Sequence, residues 1–279
     1  MTWIKLATLA ILSTVATAKS GFKSLSYKDN SKIRIFYQEF TPEVQKQKKN
    51  QVEVLLLHGA AFSSQTWLEI RTLQSLQYNG YRTIAIDLPG YGKSAYNRAG
   101  YNDPANFINL VMEGFNMKNV VLISPSMSGM YAIPYMFSHH LSNRKNRLVG
   151  WVPVAPGGVT SHSIGEYENL KVPNVLVTFG ENDVHGKRYS WKYLAKIPTA
   201  KVYEVKNAGH PAYLTDPGTW NSKLVKFLDG VKMPWAVKNE RKEKRKERIE
   251  KRKDNGTQKI ESHDELLIAD EAATLNSLN

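Results

Sequence analysis

Short, continuous apolar runs separated by stretches of helical length constrain this chain more than any other feature of it. Val52–Leu57, Thr83–Ile86, Val120–Ile123, Val152–Val154 and Val175–Phe179 are such runs, each bounded by polar or turn residues. They are long enough for a strand, too short for a buried helix, and apolar toward both faces. Between and after them lie Trp67–Tyr78, Pro104–Phe115, Ser128–Ser142, Lys187–Leu194 and Pro217–Leu228, all of helical length. Ile33–Phe40 alternates as an edge strand does, and Lys201–Val205 reads as the last strand. Repeated strand–helix alternation demands crossover connections. An α/β fold is therefore expected, with a mostly parallel central sheet and helices on both faces.

Of the 279 residues, 42% are hydrophobic, enough for one core; a single domain over residues 19–235 is expected. Cysteine is absent, which excludes a disulfide framework, a thiolate metal site and a cysteine nucleophile. The ends differ from this domain. Lys5, the apolar stretch Leu6–Val15 and the small residues Ala16-Thr17-Ala18 are the three parts of a signal peptide, with Lys19 the first mature residue. The apolar stretch falls short of the roughly 20 residues a spanning helix needs. An uncleaved residue 1–18 anchor is the alternative, and the only membrane attachment expected. The expected location is the secretory pathway, secreted or single-pass type II, with cytoplasm or nucleus as the alternative.

Residues 236–279 read as a charged helical or disordered tail. Residues 238–253 hold ten Lys/Arg against four Glu, and a net acidic stretch follows, so most of the formal +13 belongs to the folded domain. Ile249 is the one apolar residue from Lys238 to Asn255, so this cannot be a core helix. Its basic clusters would suit nuclear import, but import conflicts with a signal peptide, and no nucleic-acid partner is expected. Asn255-Gly256-Thr257 is the chain's one N-glycosylation acceptor.

The chemistry-bearing residues sit at strand ends. Ser124-Pro125-Ser126-Met127-Ser128-Gly129 follows Val120–Ile123 and opens a helix, as a nucleophile elbow does. Residues two before and two after the nucleophile must be small. Centred on Ser126 the flanks are Ser124 and Ser128; the other two registers place Leu122 or Met130 there. Ser126 is thus the candidate nucleophile, although serines replace the usual glycines. His210, just after the last strand, is the candidate base. Asp183, after Val175–Phe179, is the candidate acid that orients it, with Glu181 its rival. The oxyanion donors are expected to be the amide of Met127 and one from His58-Gly59-Ala60-Ala61, Ala60 before Ala61. His58 braces that loop. Asp87, in Asp87-Leu88-Pro89-Gly90, comes too early in the chain to be the acid. His139, His140, His162, His185 and His263 have no acid paired to them at a strand end and read as surface residues.

Taken together, the His58-Gly59 loop, the Asp87–Ser94 loop, the Ser126 elbow, Gly180-x-x-Asp183 and Gly209-His210 resemble the α/β-hydrolase superfamily. Leu55–Trp67, Ile86–Ser94, Ile123–Tyr131 and Asn207–Leu214 resemble its alpha/beta hydrolase domain-containing protein 14 branch, over about Tyr27 to Gly230. The resemblance implies hydrolysis of small activated esters and acetyl transfer from lysine to coenzyme A as acyl acceptor. Only about 20 residues, Ala155 to Asn174, separate two strands where lids usually sit, which leaves room for a minimal lid and favours acetyl-sized acyl groups. The expected activity is that of a serine hydrolase or acyltransferase on a small acyl ester or an acylated lysine. It needs no metal or bound cofactor, and the expected state is a monomer. A catalytically quiet hydrolase fold serving as a binding or developmental protein is the alternative.

Overall fold

The computed structural model describes residues 15–27, 32–48, 52–94, 103–138 and 147–233. The sheet and its helices form one compact unit ending at Val231. A second unit begins at Lys232, and all but its first two residues lie outside those described. Most of the N-terminal segment, the glycosylation acceptor and the basic tail also lie outside them. Among the described residues, no helix is long and apolar enough to cross a membrane.

Eight strands form one sheet: β1 (Thr17–Ser26), β2 (Lys32–Thr41), β3 (Val52–Leu56), β4 (Arg82–Ile86), β5 (Asn119–Pro125), β6 (Leu148–Val154), β7 (Val175–Gly180) and β8 (Ala200–Val205). Their spatial order is β1-β2-β4-β3-β5-β6-β7-β8. β1 pairs antiparallel with β2 and β2 with β4, and every other pairing is parallel. The apolar runs occupy the middle of the sheet; β6 and β7 are buried at every residue. Helices on both faces supply the cover that an all-parallel centre requires.

Two expectations need correcting. Ile33–Phe40 is not an edge strand: β1 lies outside it, with Phe22 opposite Phe36 and Leu25 opposite Ile33. In β1 only Leu25 is buried, and Lys and Ser dominate the rest, so the segment lacks the apolar pattern that reveals a strand. The strand also begins at Thr17, so the expected signal-peptide boundary after Ala18 falls inside it. The second correction concerns Trp67–Tyr78, which forms two helices, α1 (Ser64–Glu69) and α2 (Thr72–Tyr78). Arg71 between them is left-handed, with φ +59°. Trp67 and Leu73 are both fully buried. On one unbroken helix they would point about 120° apart, so the break is what lets both face the core. The Trp67 indole then donates to Leu57 O at 2.8 Å and pins α1 to the end of β3.

Six more helices follow among the described residues, and two of them, Ile164–Glu168 and Ala212–Thr215, lie in stretches not expected to be helical. The six are α3 (Pro104–Gly114), α4 (Gly129–Met136), α5 (Ile164–Glu168), α6 (Val184–Lys192), α7 (Ala212–Thr215) and α8 (Pro217–Asp229). α3 and α8 start as their residues dictate, each with an aspartate N-cap followed by proline. Between β6 and β7 there is no cap domain, only the 3-10 turn Val159–Ser161 and the five-residue α5.

Candidate active site

The site is built where β5, β7 and β8 end. After β5 the chain turns sharply into α4, and Ser126 at the corner has φ +49°. A non-glycine residue held there costs about 1–3 kcal/mol, offset by its surroundings. Gly157 N–H donates to Ser126 O at 2.8 Å and braces the corner from the lid side. Ser124 and Ser128 are small and completely buried, as the register argument requires. Each also has work as a polar group: Ser124 Oγ accepts from the Trp151 indole at 2.8 Å, and Ser128 Oγ donates to Pro125 O at 2.7 Å. The tightest approach falls one residue later. A Cβ on Gly129 would lie 2.3 Å from Gly157 O, so glycine is obligatory at that position.

His210 and Asp183 arrive from the neighbouring strand ends. Asp183 Oδ2 is 2.6 Å from His210 Nδ1, and His210 Nε2 is 2.7 Å from Ser126 Oγ. The Asp183 side chain is 8% exposed, whereas that of His210 is half exposed and open to a reactant. Asp183 also caps α6, its Oδ1 accepting from Gly186 N at 2.9 Å. The first turn of that helix thus fixes the position of the carboxylate. The loops after β7 and β8 are stitched together. Glu181 N–H donates to Val205 O and Asn182 N–H to Ala208 O. A Cβ on Gly180 would lie 2.1 Å from Gly209 O, so the glycine lets the His210 loop close against β7.

The rival acid is committed elsewhere. Glu181 accepts from Asn207 N–H at 2.9 Å and from Lys206 Nζ at 2.9 Å, and these donors, the amide foremost, hold its carboxyl below the usual range. Asp87 is buried and accepts from Ser64 N and Lys93 N, tying two loops together.

His58 braces the turn before the candidate oxyanion donors. Its Nε2 accepts from Leu88 N–H at 2.9 Å, which leaves Nδ1–H to donate to Gly59 O at 2.8 Å. Burial lowers its pKa, outweighing the bond to Gly59 and the charge of Asp87. A Cβ on Gly59 would sit 3.5 Å from Ser126 Cβ, so the loop lies directly against the candidate nucleophile. Ala60 and Ala61 are exposed beyond it. Neither the Ala60 nor the Met127 amide is spent on a hydrogen bond among the described residues.

His162 corrects one reading. It stacks face to face on Phe137 with ring centroids 3.7 Å apart, and it pairs with Glu166 at 2.8 Å in the short lid. His185 is exposed as expected, and His139, His140 and His263 lie outside the described residues.

The sequence and the fold match known proteins. Residues 54–168 match the model of the "Alpha/beta hydrolase family". Human "Protein ABHD14A" is 38% identical over 197 residues, covering 70% of this chain and 69% of the relative. Human "Putative protein-lysine deacylase ABHD14B" is 40% identical over 182 residues, covering 64% of this chain and 83% of that one. The chain belongs to the ABHD14 branch of the alpha/beta hydrolase family. Solved structures agree on the fold. The carboxylesterase CesB from Bacillus subtilis superposes with a TM-score of 0.58 at 18% identity, over 76% of this chain and 92% of that one. An esterase from Exiguobacterium antarcticum gives 0.58 at 17% identity, over 75% and 99%. In this family member, the glycines at 129, 180 and 186 and the Trp151 indole complete the candidate site. Sequence reasoning included Gly129 and Gly180 in its motifs without a packing role and passed over Gly186 and Trp151. Gly180 and Gly186 each lie three residues from Asp183, but Gly209 O and Ala155 Cβ, against which they pack, arrive from elsewhere in the chain.

Proposed function

We propose that this member of the family is a serine hydrolase that removes acetyl-sized acyl groups through Ser126, His210 and Asp183. The continuous Asp183–His210–Ser126 hydrogen-bond chain on a strained turn carries the reading. With Nδ1–H donating to Asp183, the other ring nitrogen is free to accept the Ser126 proton. Ser126 Oγ attacks the acyl carbon, and its proton passes to His210 Nε2. The amides of Met127 and Ala60 receive the oxyanion, a contribution of about 2.7–4 kcal/mol per donor. Collapse expels the amine or alkoxide, which takes the proton from His210, and the acyl group remains on Ser126. Water, or the thiol of coenzyme A, then attacks with His210 as base and frees the serine.

The minimal lid supports a short acyl group on a bulky leaving part. The name of the 40%-identical relative supports acylated lysine as the natural donor. Turnover of p-nitrophenyl acetate tests the reading, together with a mass increase of one acetyl group mapped to Ser126 in quenched enzyme. A Ser126→Ala chain that keeps wild-type turnover would overturn it.

A further inference from the structure

α6 begins at the carboxylate that orients His210, yet most of its surface serves neither the core nor the triad. At 3.6 residues per turn, Trp191, Val184, Arg188, Lys192, His185 and Tyr189 follow one another around roughly 160° of the helix. All six are exposed, and the opposite side carries the buried Ser190. Val184 is 73% exposed and Trp191 50%, the indole keeping one edge contact with buried Phe179 at 6.1 Å between ring centroids. No acidic residue lies on the helix. Lys187, at the margin of this face, is matched by Glu204 at 3.1 Å, whereas Arg188 and Lys192 form no ion pair among the described residues. An arginine beside a half-exposed tryptophan is the pairing that anchors protein contacts.

We propose that this face of α6 binds acidic polypeptide next to the acylated lysine, and so selects which lysines reach Ser126. The inference rests on the lysine-deacylation reading above. Its geometry sets a spacing. Arg188 and Lys192, four residues apart, lie about 6 Å from each other along the helix. An extended peptide advances about 3.3 Å per residue, so acids two residues apart meet both cations. A lipid surface suits the face less well. Interfacial helices bury a broad apolar face and turn their cations away from it. Here Arg188, Lys192 and His185 occupy the middle of the exposed arc, with Trp191 and Tyr189 at its margins, so a bilayer would meet charge first.

The test uses the full chain carrying Ser126→Ala, so that binding is read without turnover. Fluorescence anisotropy compares two labelled dodecapeptides with a central acetyl-lysine, one flanked by Asp and Glu and one by Ser and Gly. The acidic peptide should bind roughly ten-fold tighter, with the preference shrinking in high salt. Adding Arg188→Glu and Lys192→Glu should abolish it, and Trp191→Ala should weaken binding of the acidic peptide. An acidic preference that survives the double charge reversal would overturn the proposal, because the binding would then lie elsewhere. Equal affinity for the two peptides would also overturn it. So would vesicles of phosphatidylglycerol and phosphatidylcholine that capture the chain through Arg188 and Lys192 while the peptides do not compete. In chains that keep Ser126, Arg188→Glu with Lys192→Glu should leave p-nitrophenyl acetate turnover unchanged. Loss of that turnover in the wild type overturns the hydrolase reading, while anisotropy still decides whether α6 binds acidic peptide.

Discussion

Gly186→Ala is a change that local rules favour and the site forbids. Gly186 lies in the first turn of α6, where replacing glycine by alanine stabilises a helix by about 0.5–1 kcal/mol. The new Cβ would lie 2.2 Å from Asp183 Oδ2 and 2.7 Å from Ala155 Cβ. Carbon and oxygen cannot pack closer than about 3.2 Å, so the carboxylate must retreat by about 1 Å. Oδ2 is the oxygen that holds His210 Nδ1 at 2.6 Å. A misplacement of about 1 Å costs on the order of 10²-fold in rate, and loss of the orienting carboxylate about 10⁴-fold. We therefore expect kcat for p-nitrophenyl acetate to fall about 100-fold in Gly186→Ala with KM little changed, because the orienting bond matters most in the transition state. The melting temperature should fall by no more than a few degrees, since the helix gain offsets part of the strain. A kcat within about three-fold of wild type would refute the argument that Gly186 sets the Asp183 position.

Asp183→Asn should lower kcat by about 10⁴-fold while Glu181→Gln leaves it nearly unchanged, and reversed results would move the orienting role. His58 is held neutral by burial below the ordinary imidazole value of 6.5. Its contribution to stability is complete above pH 6.5 and is lost as pH falls from there toward the folded-state pKa, because the unfolded chain takes up the proton first. Denaturant unfolding between pH 7.5 and 5 should therefore show a decline with a shallower slope in His58→Gln. Trp151→Phe removes the donor to the buried Ser124 Oγ and should cost about 1–3 kcal/mol in the same unfolding assay.

The strands that face helices on both sides were legible because burial on both faces leaves a plain apolar run. β1 was not, since a strand with Leu25 as its one buried residue is specified by pairing to β2, and pairing leaves no periodic mark on Lys and Ser. The Trp67–Tyr78 stretch looked like one helix because its apolar residues keep roughly helical spacing; the left-handed Arg71 is decided by where Trp67 and Leu73 must go. The sequence placed Ser126, His210 and Asp183 at strand ends, and the structure brings these three side chains together. The part that glycines play in letting them meet was not legible. Gly129 and Gly180 are fixed by backbone arriving from residues 157 and 209, and Gly186 by a carboxylate and by Ala155 Cβ. Contacts of that kind become visible only once the chain is folded.

Every step proposed for this site requires Ser126 to be an activated nucleophile. Incubating the full chain with a fluorophosphonate probe and mapping the adduct by peptide mass spectrometry asks this directly. We predict a single phosphonylated serine at 126, absent in Ser126→Ala and retained in Ser128→Ala, whose hydroxyl is occupied by Pro125 O. No labelling of the folded wild-type chain, or an adduct on any other serine, would contradict it.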